Sequence, residues 1–140
     1  MRISHIITGL LSVIVLATAC VRKTKIIDPV PDPVAGKGGN STLRIAPQNR
    51  EREIDSCMIW LKYNAFEALD SMKYDDSAWV KKKDGKYLAQ FDSLKQGNYF
   101  FTAIGWDANI ADTVLGHSTF KVIDTVGKTY DLYLEVFPKH

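Results

Sequence analysis

The stretch FDSLKQGNYFFTAIGWD, residues 91–107, carries the clearest fold signal in the chain. A turn at Gly97 separates a short apolar segment from a longer one that ends at Trp106. Successive side chains of a strand point to opposite faces. The positions on one face are Tyr99, Phe101 and Ala103, and those on the other include Phe100, Ile104 and Trp106. This pattern predicts a central β-strand that is unusually apolar on both faces.

Turn-forming residues recur about every ten positions outside this stretch, and the segments between them are rich in aromatic and branched side chains. No long segment shows helical periodicity. The predicted strands are 42–47, 54–63, 79–83, 87–92, 97–106, 114–123 and 129–136. We therefore expect an all-β domain, a single antiparallel seven-stranded β-sandwich of the immunoglobulin or transthyretin-like type.

The Asp84-Gly85 pair is the sharpest local feature, because these two residues adopt the left-handed conformations of a two-residue type I′ turn. An antiparallel hairpin is predicted there. Alternation along three of the strands predicts a set of inward-facing side chains. They are Leu43, Ile45, Ile59, Leu61, Tyr63, Tyr130, Leu132, Leu134 and Val136.

The Phe-x-x-Leu-x-x-Gly-x-Tyr pattern that begins at Phe91 resembles the segment leading into a central strand of transthyretin-like and Cna-B-like sandwiches. The resemblance covers about seventeen residues. It implies that Leu94 and Tyr99 fill the core while Gly97 turns the chain. It also implies a role as a spacer, stalk or binding accessory at a cell surface.

The first nineteen residues have the order of an export signal: Arg2, an apolar stretch at 6–16, and small residues before Cys20. A retained transmembrane anchor is the alternative, but the apolar stretch is shorter than the roughly 20 residues that a spanning helix needs. We predict a signal peptide at 1–19.

The residues Leu16-Ala17-Thr18-Ala19-Cys20 resemble a bacterial lipobox, in which the cysteine receives a lipid before cleavage. The precursor is similar to Bacteroidota-type lipoproteins, which implies a palmitate-bearing anchor at Cys20 in the outer membrane. In that group, acidic residues after the cysteine accompany export to the cell surface. Here Arg22, Lys23 and Lys25 follow instead, which favours the periplasmic face of the cell envelope.

Residues 20–40 contain Pro29, Pro31 and Pro33 and, further on, three glycines, so they are predicted to form a flexible, lipid-bearing tether. The remaining 41–140 would form the sandwich. From Asn40 onward the chain has 13 Lys/Arg against 14 Asp/Glu. A near-neutral domain lacks the basic face that phosphate binding requires, so no nucleic acid is expected as a partner.

Four aromatic residues are candidates for ligand binding: Trp60, Trp79, Phe100 and Trp106. If one face of their sheet stays exposed, it would offer an aromatic platform for a glycan or an envelope protein. The other expectation is that the opposite sheet and the loop at 64–78 cover both faces. The main partner predicted in either case is the membrane, through the N-terminal lipid.

Other chemistry finds less support in the sequence. Cys57, Met58 and His117 could form a soft metal site, but a lone strand cysteine is usually a buried apolar residue, and no metal or cofactor is predicted. No catalytic motif is present, so no catalytic residue is assigned. The run Lys81-Lys82-Lys83 reads as a solvated hairpin edge, with binding of an anionic lipid or polysaccharide as the alternative. We expect a non-enzymatic lipoprotein with a structural or binding-accessory role.

Overall fold

The computed structural model describes residues 32–68 and 73–139. The predicted signal peptide, Cys20 and the tether up to residue 31 lie outside the described residues. The strands in chain order are β1 (Lys37–Asn49), β2 (Arg52–Glu53), β3 (Ser56–Tyr63), β4 (Asp76–Trp79), β5 (Lys81–Lys83), β6 (Lys86–Leu94), β7 (Gly97–Asp107), β8 (Asp112–Val122), β9 (Thr129–Glu135) and β10 (Phe137–Pro138).

The strands form two five-stranded sheets, which confirms the all-β sandwich. In the first sheet β9, β1, β6 and β5 lie side by side, and β2 pairs with the end of β1. The second sheet has the order β10-β8-β7-β3-β4. One hydrophobic core joins the sheets, and it contains side chains from both, including Ile45, Leu61, Phe91 and Phe101.

The inward-facing residues predicted from alternation lie where expected. Leu43, Ile45, Ile59, Leu61 and Val136 are fully buried, and Leu134 is almost so. Tyr63, Tyr130 and Leu132 are partly buried against the same core. The hairpin is confirmed too: β5 and β6 pair around Asp84 and Gly85, whose φ angles are 51° and 78°.

One pairing runs against the antiparallel pattern. Strand β9 lies parallel to β1, with Leu43 opposite Tyr130 and Pro47 opposite Leu134. A hairpin would force an antiparallel pair, but β9 reaches β1 by crossing over from β8 in the other sheet. The crossover leaves the strand free to enter in either direction.

Strand β1 begins at Lys37, so the last four residues of the predicted tether belong to the sheet. The sequence reading took the glycines there as a sign of flexibility. Instead, Gly39 lets two backbones approach closely, since a Cβ at that position would lie 2.1 Å from the Leu94 carbonyl oxygen. A bulge follows, because Lys37 and Ser41 both pair with Leu94.

The corner between β6 and β7 is closed by Tyr99, which is fully buried. Its hydroxyl donates a hydrogen bond to the Lys95 carbonyl at 2.7 Å and accepts one from the Gly36 N–H at 3.0 Å. Gly97 turns the chain with φ 143°, and Leu94 is 1% exposed. Leu94, Gly97 and Tyr99 thus occupy the positions expected of them.

Replacing Tyr99 by Phe removes both hydrogen bonds and leaves the buried Gly36 N–H without this acceptor. We expect the free energy of unfolding to fall by about 1–3 kcal/mol, the usual cost of an unpaired buried polar group. Urea unfolding would measure it. Tyr87→Phe is the control: the Tyr87 hydroxyl makes no hydrogen bond with the described residues, so the free energy of unfolding should change by no more than about 0.5 kcal/mol. Equal unfolding midpoints for Tyr99→Phe and the wild type would contradict the assignment.

Candidate ligand-binding face

The outer face of the second sheet carries a continuous line of apolar side chains. Strand register places Met58 opposite both Trp79 and Ile104. It also places Leu115 opposite both Ile104 and Phe137. Directly opposed residues share a face of a sheet, so each of the five strands contributes one side chain. We call these five residues the apolar row: Trp79, Met58, Ile104, Leu115 and Phe137.

The row is open to solvent. Trp79 and Phe137 are each 60% exposed and Ile104 is 40% exposed, whereas Met58 and Leu115 are half-buried. Neighbouring strands lie about 4.8 Å apart, so the row extends for about 19 Å across the sheet. Contiguous exposed apolar surface of this kind marks sites of interaction in soluble domains.

The four predicted aromatic residues have different positions in the structure. Trp79 belongs to the apolar row, and Trp106 lies two residues beyond Ile104 on β7 and is 47% exposed. Trp60 is half-buried, with its ring centroid 6.3 Å from that of Tyr74. Phe100 is 1% exposed, so its ring is not part of the open surface.

Neighbouring strands explain the burial of Phe100. It lies between Lys62 of β3 and Thr119 of β8, and its ring centroid is 5.9 Å from that of His117. Tyr74 covers the adjacent part of the sheet, since its hydroxyl donates a hydrogen bond to Thr102 Oγ1 at 3.0 Å. The expectation that the sheet is covered on both faces therefore holds around Trp60 and Phe100 but is wrong along the apolar row.

Sequence reasoning named Trp79 and Ile104 but did not connect them with Met58, Leu115 and Phe137. Met58 entered only as a metal candidate, and Phe137 lies one residue beyond the last predicted strand. The signal that joins these residues is the register of five strands. Alternation within one strand predicts which face a side chain takes, but it does not predict which residue of the next strand lies beside it. It therefore cannot predict the row.

A groove opens at the Trp79 end of the row, where the chain passes from β4 to β5. Its volume is about 520 Å³. It is lined by Met58, Ser77, Ala78, Trp79, Lys81, Lys83, Leu88 and Gln90. The Lys83 ammonium donates a hydrogen bond to Gln90 Oε1 at 2.5 Å, and Gln90 Nε2 donates one to Asp92 at 2.8 Å. The groove thus combines an aromatic ring, cationic groups and hydrogen-bonding groups.

The proposed soft metal site does not assemble. Cys57 is fully buried on the inner face of β3, and burial raises the pKa of its thiol to about 12. Met58 is the next residue along the strand and lies on the outer face, opposite the exposed Ile104. His117 is also on the outer side, so Cys57 cannot share a metal with either. Within residues 32–68 and 73–139 no three His, Cys, Asp or Glu side chains cluster closely enough to hold a metal.

Asp107 fixes the end of β7 next to Trp106. The residue is 1% exposed, and it accepts hydrogen bonds from Asn49 Nδ2 at 3.0 Å and from the Asn109 N–H at 2.9 Å. Arg52 lies 3.4 Å away. The hydrogen bond from Asn49 is the largest cause that lowers the pKa of the Asp107 carboxyl. Since Asn49 belongs to β1, this carboxylate links the two sheets.

The chain was compared with known proteins, and no family model, curated protein or solved structure matches it. The described part of the chain contains no helix with the length and hydrophobicity needed to span a bilayer.

Asp107→Asn keeps the shape of the side chain but removes its charge, which places an amide opposite the donors. We expect a loss of about 1–3 kcal/mol at neutral pH. Because the folded-state pKa is lowered, the contribution of the carboxylate is complete above the ordinary aspartate pKa of about 4 and is lost as the pH falls through the folded value. Urea unfolding from acid to neutral pH should show the wild type and the variant converging in acid.

The matched control is Asp131→Asn, since that carboxylate is 65% exposed and paired with Arg44 at 3.3 Å. Its effect should stay below about 1 kcal/mol at every pH. A difference between wild type and Asp107→Asn that is the same in acid as at neutral pH would contradict the role given to the charge.

Proposed function

We propose that this chain is a non-enzymatic lipoprotein of the cell envelope that acts as a binding accessory. A lipid on Cys20 holds it in the outer membrane, with the periplasmic face favoured by the basic residues that follow. The sandwich then presents the outer face of its second sheet to a glycan or an envelope protein. The single observation that carries this proposal is the exposed apolar row.

The first sheet differs from the second in the character of its outer face. Its outer face carries charged groups that pair with one another, as Arg44 does with Asp84 at 3.4 Å and with Asp131 at 3.3 Å. Its exposed Tyr133 lies under the Lys86 ammonium, 5.7 Å from the ring centroid. An apolar row restricted to the other sheet supports a binding role.

The tether joins the domain at a distance from the apolar row. The chain enters the sandwich at Ala35, whose N–H donates a hydrogen bond to Asn64 Oδ1 at 2.8 Å. A Cβ on Gly97, at the start of β7, would lie 2.5 Å from the Ala35 nitrogen, so the entering chain lies against that end. Ile104 is seven residues further along β7, about 24 Å away. The row therefore lies well away from the point where the tether joins the domain.

The anchor is tested by palmitate labelling of host cells. The wild type should incorporate labelled palmitate and Cys20→Ala should not, because the acyl chains require that cysteine. Cys57→Ala is the matched control and should label like the wild type, since Cys57 is buried. Absence of label from the wild type would refute the anchor. Protease added to intact cells then separates a periplasmic domain, which is protected, from a surface domain, which is cleaved.

The binding face is tested by maleimide labelling of single cysteines. Ile104→Cys lies in the row, and Tyr133→Cys lies on the outer face of the first sheet, where Tyr133 is 62% exposed. Cys57 should stay unlabelled because it is buried with a raised pKa. Both variants should react equally well as purified full chains in detergent.

In the intact envelope, Ile104→Cys should react about tenfold more slowly, which corresponds to a ligand at about ten times its dissociation constant. Tyr133→Cys should keep its rate. Equal labelling of both positions in the envelope would mean that the row is unoccupied there and would overturn the proposed function.

A further inference from the structure

The groove at the Trp79 end of the apolar row is built by a short crossing segment. Val80 is 7% exposed, and its N–H donates a hydrogen bond to the Cys57 carbonyl at 2.9 Å. Val80 is buried between Trp79 and Lys81, which are both exposed and both line the groove. The aromatic ring and the first lysine are thus placed together by one buried residue between them.

The charge in the groove has one sign. Lys81 and Lys83 line it, and they lie on the same side of β5, about 7 Å apart along the strand. Lys82 points to the other side, with its ammonium 5.9 Å from the Tyr87 ring centroid. No carboxylate belongs to the groove lining among the described residues. The Lys81 ammonium makes no hydrogen bond or ion pair with the described residues, so its charge is available to an anion.

The remaining groups suit a sugar. The Trp79 ring is 60% exposed and continues into Met58, which provides an apolar surface for the C–H face of a pyranose. Ser77 and Gln90 offer a hydroxyl and an amide to sugar hydroxyls. The groove volume of about 520 Å³ lies in the usual range for ligand sites.

We propose that this groove binds an acidic polysaccharide, with a sugar ring stacked on Trp79 and its anionic substituent paired with Lys81 and Lys83. This inference rests on the proposed function and names the ligand class for that face. The anionic group is a carboxylate or a sulfate, which share the same pairing chemistry with ammonium groups. An anionic lipid surface fits less well, because Trp79 is level with Ile104 across the sheet and far from the end where the tether enters.

The test uses the full chain purified in detergent, with polygalacturonate as the probe, dextran sulfate as the sulfated polymer and dextran as the neutral one. Binding is followed by tryptophan fluorescence and by affinity electrophoresis. The wild type should bind polygalacturonate or dextran sulfate, and the preferred polymer identifies the anionic group. Dextran should not bind, and added salt should weaken binding because the lysines are exposed to solvent.

Trp79→Ala should weaken binding of the anionic polymer about tenfold, and the double variant Lys81→Gln/Lys83→Gln should do the same. Two matched controls should bind like the wild type. Tyr133→Ala removes an exposed ring outside the groove, and Lys121→Gln removes an exposed lysine on β8. Circular dichroism of each variant confirms that the sandwich is folded.

Three results would overturn the proposal: no binding of either anionic polymer, equal binding by Trp79→Ala and the wild type, or binding of dextran as strong as that of the acidic polymers. Binding to phosphatidylglycerol vesicles without binding to polymers would overturn it in favour of lipid. The maleimide experiment distinguishes failure of the proposed function from failure of this ligand class alone. Protection of Ile104→Cys in the envelope, together with failure to bind the polymers, would leave the binding face intact and reject only this ligand class.

Discussion

The hydroxyl of Tyr99 joins the start of β7 to two other segments, the β6–β7 corner and the entry of the chain into the domain. It binds the Lys95 carbonyl at the end of the β6–β7 corner and the Gly36 N–H at the entry of the chain. The same ring lies in the core, 5.7 Å from the ring centroid of Tyr63 and nearly perpendicular to it. The start of β7 is thereby fixed against both sheets. Since β7 is the central strand of the second sheet, its position sets the register of the strands on either side.

The register of these strands makes the inner face of the second sheet different from its outer face. Residues of β3 and β7 that point inward meet the first sheet and form the core, whereas those that point outward meet only each other and solvent. Near Tyr74 the outward residues are polar or covered. Along the apolar row they are apolar. The groove joins this line at the sheet edge, where the crossing between β4 and β5 adds two lysines to an exposed tryptophan. One continuous surface thus carries both apolar and cationic groups, and both proposals refer to it.

Local patterns predicted the elements that depend on neighbours in the chain. The Asp84-Gly85 turn forms because two adjacent residues accept positive φ angles, and the inward positions of β1, β3 and β9 follow from the period of a strand. The same patterns failed where a distant backbone intervenes. The sequence suggests a flexible linker residue at Gly39, but in the structure Leu94 packs against it. It suggests an exposed aromatic residue at Phe100, but in the structure Lys62 and Thr119 flank that residue.

The sequence by itself determined the all-β class, the central strand around Tyr99, the hairpin and the face that most side chains take, because these follow from backbone sterics and a two-residue period. It also supplied the basis for expecting an export signal and a lipid at Cys20, which remain predictions. Only the tertiary structure decided that β9 runs parallel to β1 and that five side chains from five strands form one row. Register and strand order arise from the packing of segments distant in sequence, and no local pattern specifies which strands become neighbours.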